Sequence, residues 1–323
     1  MAVAQCGPLV DHPPPIRSTL NHSPTPAELA ELWVEPPDVR SRALFYGVGG
    51  VRHAPDPHVR YELLAEKHDF SSFSRGYTVK DPDGRKWSVK LGIEAQPEVV
   101  ASRLIWAAGY HQPPVYYVEH WELTRDGKVT MQPPARFRPK VRRFKRRGTW
   151  SWQQNPFVDT RAYRGLIVLM VMLNNWDMTT ANNAIYEMPK ERDGVHRWFV
   201  VQDVGTSFSR TRGSWRDGAR GDLQGFARQG FIESVDAGRV LFDWHGPHGD
   251  LLQEIRPDDV HWIADRLATL SPTQWDDALR AVCSATSGMT LAPNPESSGR
   301  AACAAIATQT KRIAESPAPS PKS

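Results

Sequence analysis

The sequence predicts an α+β fold in two lobes: a mostly β front half with one helix, then a mainly helical back half. Three observations predict it. At 323 residues the chain is long enough for two packed units or one bilobal fold, since single domains run to roughly 100–200 residues. Strand-period segments and turn punctuation cluster between residues 77 and 131, whereas the back half carries apolar helical patterns. With 40% hydrophobic and 24% charged residues, the composition is that of a packed globular chain and not a disordered one.

The elements follow in order. Residues 1–41 form a proline-rich N-terminal arm, broken by one helical stretch at Pro26–Val34. Residues 42–135 form the N-lobe. Its centre is a hairpin: Tyr77–Lys80 and Arg85–Leu91 flank Asp81-Pro82-Asp83-Gly84, where Pro82 suits the second turn position and Gly84 the fourth. Trp87, Val89 and Leu91 alternate with Ser88 and Lys90, as in a half-buried strand. A helix follows, with Pro97 in its first turn, apolar residues at Val100, Leu104, Ala107 and Ala108, and Gly109 just past its end. Pro113–Val118 and Lys128–Met131 read as further strands. The C-lobe spans 136–315. Asp159–Leu173 is a long apolar helix and Asn174–Asn183 a polar loop. Ala184–Tyr186 and Trp198–Gln202 are paired strands, and helices follow at Pro257–Leu270, Pro272–Cys283 and Arg300–Glu315. Residues 316–323, rich in proline and serine, are a disordered tail.

Several classes are excluded. The longest strongly apolar run, Leu166–Leu173, is far short of the roughly 20 residues of a membrane-spanning helix, so no transmembrane segment is expected. No signal peptide is visible, and a cytoplasmic location is the expectation; a processed start, secreted or lipid-anchored through Cys6, stays open. Cys6, Cys283 and Cys303 form no C-x-x-C pair, which argues against a disulfide framework or structural zinc. The net charge is +4, yet Arg136–Arg147 alone holds eight basic residues and no acidic one, so the rest of the chain is net acidic. This run falls where the two lobes join. It is either a solvated basic loop or a docking segment for a polyanion.

Three separated segments carry the chemistry. Trp87-Ser-Val-Lys90 sets a lysine in an apolar strand, with Glu98 in the next helix. Asn174-Asn-Trp-Asp177 through Asn182-Asn183 follows the long helix, and Val200-Val-Gln-Asp203-Val-Gly205 ends a strand on an aspartate and a glycine turn. In this order the segments resemble the protein-kinase-like superfamily, over roughly residues 42–290, and look closer to its atypical branches, HipA-like and phosphoinositide-kinase-like, than to ordinary Ser/Thr kinases. Lys90 matches the strand lysine, Glu98 the helix glutamate, Asp177 and Asn182 the catalytic-loop D-x-x-x-x-N, and Asp203 with Gly205 the D-F-G motif, here Asp-Val-Gly.

The resemblance implies a bilobal kinase-like fold, ATP and Mg²⁺ as cofactors, and transfer of the γ-phosphoryl group to an unidentified hydroxyl acceptor: protein, lipid headgroup or small molecule. Lys90 and Glu98 would position the nucleotide, Asn182 (or its neighbour Asn183) and Asp203 would hold metal, and Asp177 would orient the acceptor. The physical demands are met in kind: an ammonium for phosphates, a carboxylate to hold it, two hard oxygen donors for Mg²⁺, and one carboxylate for the acceptor proton. No G-x-G-x-x-G precedes Lys90. Its place is taken by Ser71–Tyr77, whose Ser72, Ser74 and Gly76 are the candidate phosphate contacts. Asn174 and Asn175 stand where the catalytic loop has His and Arg, and valine replaces the D-F-G phenylalanine. These departures motivate the alternative of an inactive pseudokinase module that docks a polyanion through 136–147. His245–Asp250 reads as a polar loop, not a metal site.

Overall fold

The computed structural model describes residues 14–67, 75–141, 144–187, 195–210 and 223–282. Ser72 and Ser74, residues 188–194 between the two paired strands, the expected C-terminal helix at 300–315, the tail and all three cysteines lie outside these residues.

The fold is α+β and bilobal, as expected. The arm contributes β1 (Arg17–Ser18) and one capped turn, α1 (Pro26–Leu29), shorter than the predicted stretch. The N-lobe strands are β2 (Arg60–Lys67), β3 (Gly76–Lys80), β4 (Lys86–Leu91), β5 (Tyr116–Val118), β6 (Trp121–Arg125), β7 (Lys128–Gln132) and β8 (Ala135–Pro139), with helix α2 (Ala95–Ala107) between β4 and β5. They form one seven-stranded sheet in the order β5-β8-β4-β3-β2-β6-β7. All neighbours are antiparallel except the β2–β6 pair.

Strand alternation sorts this sheet into two chemically opposite faces. One face packs Tyr77, Val79, Trp87, Val89 and Phe137 into an aromatic core with Tyr61 and Trp121. Trp121 meets Phe137 edge-on at 5.1 Å. The register Gly76↔Lys90↔Arg136, then Thr78↔Ser88↔Arg138, puts the polar residues of β3, β4 and β8 on the opposite face. Among its described residues the basic run is therefore mostly strand and not loop. Its first part is the interior strand β8, between β5 and β4, in which Arg136 is only 5% exposed; a later part is β9 (Lys145–Gly148), which pairs with the back-half hairpin.

The β3–β4 turn is the predicted one. Gly84 N–H donates to Asp81 O at 3.0 Å, and Gly84 takes φ +79°, which a glycine adopts without strain. Helix α2 is buried almost all round, including Glu98 and Arg103. Gly109 ends it at φ +101°, and a Cβ there would lie 2.5 Å from Trp33 Nε1, so glycine is needed twice over. Through Trp33 and the fully buried Leu32 the arm packs on this helix end and has no core of its own.

The C-lobe opens with β10 (Gln154–Asn155), paired to β1, and α3 (Arg161–Met172), whose N-cap Thr160 accepts from Tyr163 N–H. β11 (Asn183–Glu187) and β12 (Arg197–Val201) form the predicted hairpin, with β9 added as a third strand. Helix α4 (Leu223–Arg228), the hairpin β13 (Ile232–Asp236) and β14 (Arg239–Phe242), α5 (Pro257–Ala268) and α6 (Pro272–Arg280) complete it. Gly165 of α3 lets α5 approach: a Cβ would sit 2.5 Å from the Trp262 ring. Among the described residues, no helix is long and apolar enough to cross a membrane.

Candidate active site

Between the sheet's polar face and the β11–β12 hairpin lies a cleft of about 1390 Å³. Lys90 reaches into it from β4. Its Nζ donates to Asp203 Oδ1 at 2.8 Å and Oδ2 at 3.0 Å, and lies 2.8 Å from Glu94 Oε2 and 3.3 Å from Glu98 Oε2. Glu98, fully buried, turns its other oxygen to two guanidinium groups: Arg138 Nη2 at 2.6 Å and Arg136 Nε at 2.8 Å. Arg136 also donates to Ser88 O at 3.1 Å, and Arg138 to Gln202 O at 2.9 Å. Three cations thus balance three carboxylates. Such a group of charges tolerates removal from water only because every charge has opposite neighbours, although Glu98 Oε2, Arg136 Nε and Arg138 Nε make no hydrogen bond.

The electrostatics follow. Burial alone would lower the Lys90 ammonium, but the charges of Glu98, Asp203 and Glu94 outweigh it and hold Lys90 above the ordinary lysine value, against opposition from Arg136. Burial alone would raise the Asp203 carboxyl. The Lys90 charge and hydrogen bond, then Arg136 and Arg138, instead hold it down to about 2. Both groups are ionised across the whole neutral range.

The back-half loops meet this cluster through consecutive hydrogen bonds. Asp177 O accepts from Thr179 N–H at 2.9 Å and from Asn182 Nδ2 at 3.0 Å. Asn182 O in turn accepts from Gln202 and Asp203 N–H at 2.8 and 3.0 Å. Asp177, Asn182 and Asp203 are thereby linked through the backbone, but only Asp203, with Lys90 and Gly76, lines the cleft; Asp177 and Asn182 are not among its lining residues. Asn183 is fully buried and donates to Trp150 O at 2.8 Å, so it braces the hairpin. The Asn182 amide nitrogen donates to Asp177 O, and the buried Asn183 Oδ1 has no hydrogen-bond partner.

Gly205 is fixed by the same cluster. A Cβ there would lie 2.8 Å from Glu94 Cβ and 3.0 Å from Lys90 Nζ, so any side chain displaces the lysine or its partner. Asn174 and Asn175 are buried structural residues. Asn174 takes φ +53° after α3 and donates to Ser209 O and to Gln229 Oε1 at 3.0 Å. Asn175 Oδ1 accepts from the Thr206 hydroxyl. They lock the loop before Asp177 to the segment after Asp203. His245 pairs with Asp243 at 2.7 Å, and the described residues hold no group of three or more His, Cys, Asp or Glu able to bind a metal.

The donor set fits a Mg²⁺ ion held jointly with phosphates. Such an ion would be held by the Asp203 carboxylate, whose side chain is 40% exposed, with an asparagine Oδ1 as a second hard oxygen. Sequence reasoning missed Glu94, Arg136 and Arg138. Glu94 stands four residues after Lys90, and the alternation of Arg136, Arg138 and Lys140 with Phe137 and Pro139 is a strand signal inside the basic run.

No family model matches the chain, and no curated protein matches it. Among solved structures, the Helicobacter pylori proinflammatory kinase CtkA matches over 79% of this chain and 94% of that one, at 10% identity and a TM-score of 0.40. A likeness that low carries no argument; the site geometry does.

Proposed function

We propose that this chain is a kinase-like phosphotransferase that moves the γ-phosphoryl group of ATP to a hydroxyl acceptor. One observation carries the reading: Lys90 from the front lobe, anchored by Glu94 and Glu98, meets Asp203 from the back lobe at 2.8 Å in a cleft large enough for a nucleotide. Lys90 positions the α/β-phosphates, and Glu98 holds Lys90 in place. Asp203 and Asn182 would hold Mg²⁺, which when bound would supply positive charge beside the transferred group. Asp177 orients the acceptor hydroxyl and takes its proton. The atypical branches of the superfamily are the reading for a chain whose catalytic loop lacks His-Arg and whose phosphate loop has one glycine.

The experiment is Mg²⁺-dependent phosphoryl transfer, or ATP hydrolysis, by purified protein beside Asp177→Ala and Asp203→Ala. The reading expects at least a hundredfold loss in each variant. Equal activity in all three proteins refutes it. A second reading, an inactive nucleotide-binding module, is favoured by the hold that Lys90 has on both oxygens of Asp203, which a metal must displace. Mg²⁺-dependent nucleotide binding without turnover selects it.

A further inference from the structure

The polar face of the sheet carries more cations than the cluster uses. Row by row along β3, β4 and β8, the register places Lys90 with Arg136, then Thr78 and Ser88 with Arg138, then Lys80 with Lys86. Lys140 joins the last row, since its N–H donates to Lys86 O at 2.7 Å. The first two rows are neutralised by Glu94, Glu98 and Asp203. In the last row Lys80 is spent on Glu62, at 2.6 Å. Lys86 and Lys140 are exposed, both line the cleft, and neither has an acidic partner among the described residues. Lys140 Nζ rests on the Thr78 hydroxyl at 3.1 Å, which holds it against the sheet. Lys86 is four residues from Lys90 along one strand, a separation of about 13 Å. Arg138 spans the cleft between the two rows, from Glu98 to Gln202 O.

We propose that Lys86 and Lys140, with the Thr78 hydroxyl, form a second phosphate-binding site on the roof of the cleft, separate from the Lys90 end. It takes a phosphate group, carried either by the nucleotide itself or by a second, phosphorylated substrate. This rests on the phosphotransferase reading for the ligand's class but not for the site's existence. Lys86 and Lys140 lie on adjacent backbones of one concave wall and present two ammonium groups without an acidic partner among the described residues, donors in number for a phosphate's oxygens.

The test is equilibrium dialysis of radiolabelled inorganic phosphate against the full chain, with and without saturating ADP·Mg²⁺. It is repeated on Lys86→Ala/Lys140→Ala and on the control Lys128→Ala, an exposed lysine on distant β7. The proposal expects phosphate to bind in the presence of ADP·Mg²⁺, at least tenfold more weakly in the double variant and unchanged in the control. ADP bearing an additional ribose 3′-phosphate distinguishes the sources. Binding at least tenfold tighter than ADP, with expulsion of free phosphate, assigns the group to the nucleotide; binding equal to ADP assigns it to a second molecule. Absence of phosphate binding, or binding that ADP·Mg²⁺ abolishes and the double variant leaves intact, overturns the proposal. Failure of ADP·Mg²⁺ to bind counts against the phosphotransferase reading alone, and the double variant against the control still decides the site.

Discussion

Replacing Glu98 by glutamine removes one charge and almost no volume, so it isolates the electrostatic role of the residue. Glu98 is fully buried and is the shared partner of Lys90, Arg136 and Arg138. After the change Lys90 keeps Glu94 and Asp203, while Arg136 and Arg138 keep only the carbonyls of Ser88 and Gln202. Two guanidinium groups are then buried without a carboxylate. Breaking a buried ion pair by removing one partner costs about 3–5 kcal/mol. That is a large share of a typical net stability of about 5–15 kcal/mol. For a chain of this size each kcal/mol moves the melting midpoint by roughly 2–4 °C, so a fall of roughly 6–12 °C or more is expected. The assay is thermal unfolding followed by circular dichroism, with Glu62→Gln as the comparison. Glu62 pairs Lys80 at 2.6 Å, but its side chain is 57% exposed, and such a pair is worth about 0–1 kcal/mol. Equal midpoints for the two variants would refute the reasoning, because the Glu98 cluster would then be no more than a surface pair.

Gly205→Ala should weaken Mg²⁺-nucleotide binding at least tenfold, since its Cβ meets Glu94 and Lys90, and should cost about 1–3 kcal/mol of stability by overpacking; calorimetric titration and urea unfolding check both. His111 is held neutral: burial pushes its imidazole down to about 4, against the hydrogen bond to Ala30 O and with help from the Arg42 charge. A folded value below the unfolded value near 6.5 means this contribution is full above pH 6.5 and is lost as pH falls toward 4. Stability should therefore drop by about 3 kcal/mol across that window, and His111→Gln should flatten the drop in urea titrations at pH 7 and pH 4.5. Asp203, held at about 2, contributes stability above the ordinary carboxylate value that is lost only as pH falls through 2, so Asp203→Asn should change the acid limb below pH 4 and leave the His111 window alone. Asn175→Ala removes the acceptor of the buried Thr206 hydroxyl and should cost about 1–3 kcal/mol while leaving Lys90 in place.

What the sequence made legible was local. The β3–β4 hairpin was marked by Pro82, Gly84 and the alternation around Trp87, helix α2 by Pro97 and Gly109, and α3 by its apolar run. Of the ordered set Lys90, Glu98, Asp177, Asn182 and Asp203, the structure puts Lys90 in contact with Glu98 and Asp203, while Asp177 and Asn182 do not line the cleft. Strand β2 was not legible. Arg-Tyr-Glu-Leu-Leu-Ala-Glu-Lys is rich in helix formers and carries a register shift between Leu63 and Ala65, and pairing with β3 and β6 overrides its local preference. The basic run was misjudged because charge dominated its reading. Arg136 and Arg138 are tolerable inside only beside Glu98, and that partner, some 40 residues earlier, is brought to them only when β8 packs against α2. The asparagines before Asp177 showed a departure from the superfamily pattern but not their work, which depends on Thr206, Ser209 and Gln229.

The account stands or falls on whether Lys90 and Asp203 jointly hold a metal-nucleotide. Calorimetric titration of Mg²⁺ with ADP into the wild type and Asp203→Asn tests this most directly. The account predicts binding to the wild type that strengthens at least tenfold when Mg²⁺ is present, and an Asp203→Asn variant in which Mg²⁺ makes no difference. Identical Mg²⁺ dependence in the two proteins, or no binding to the wild type at millimolar ADP, would contradict it.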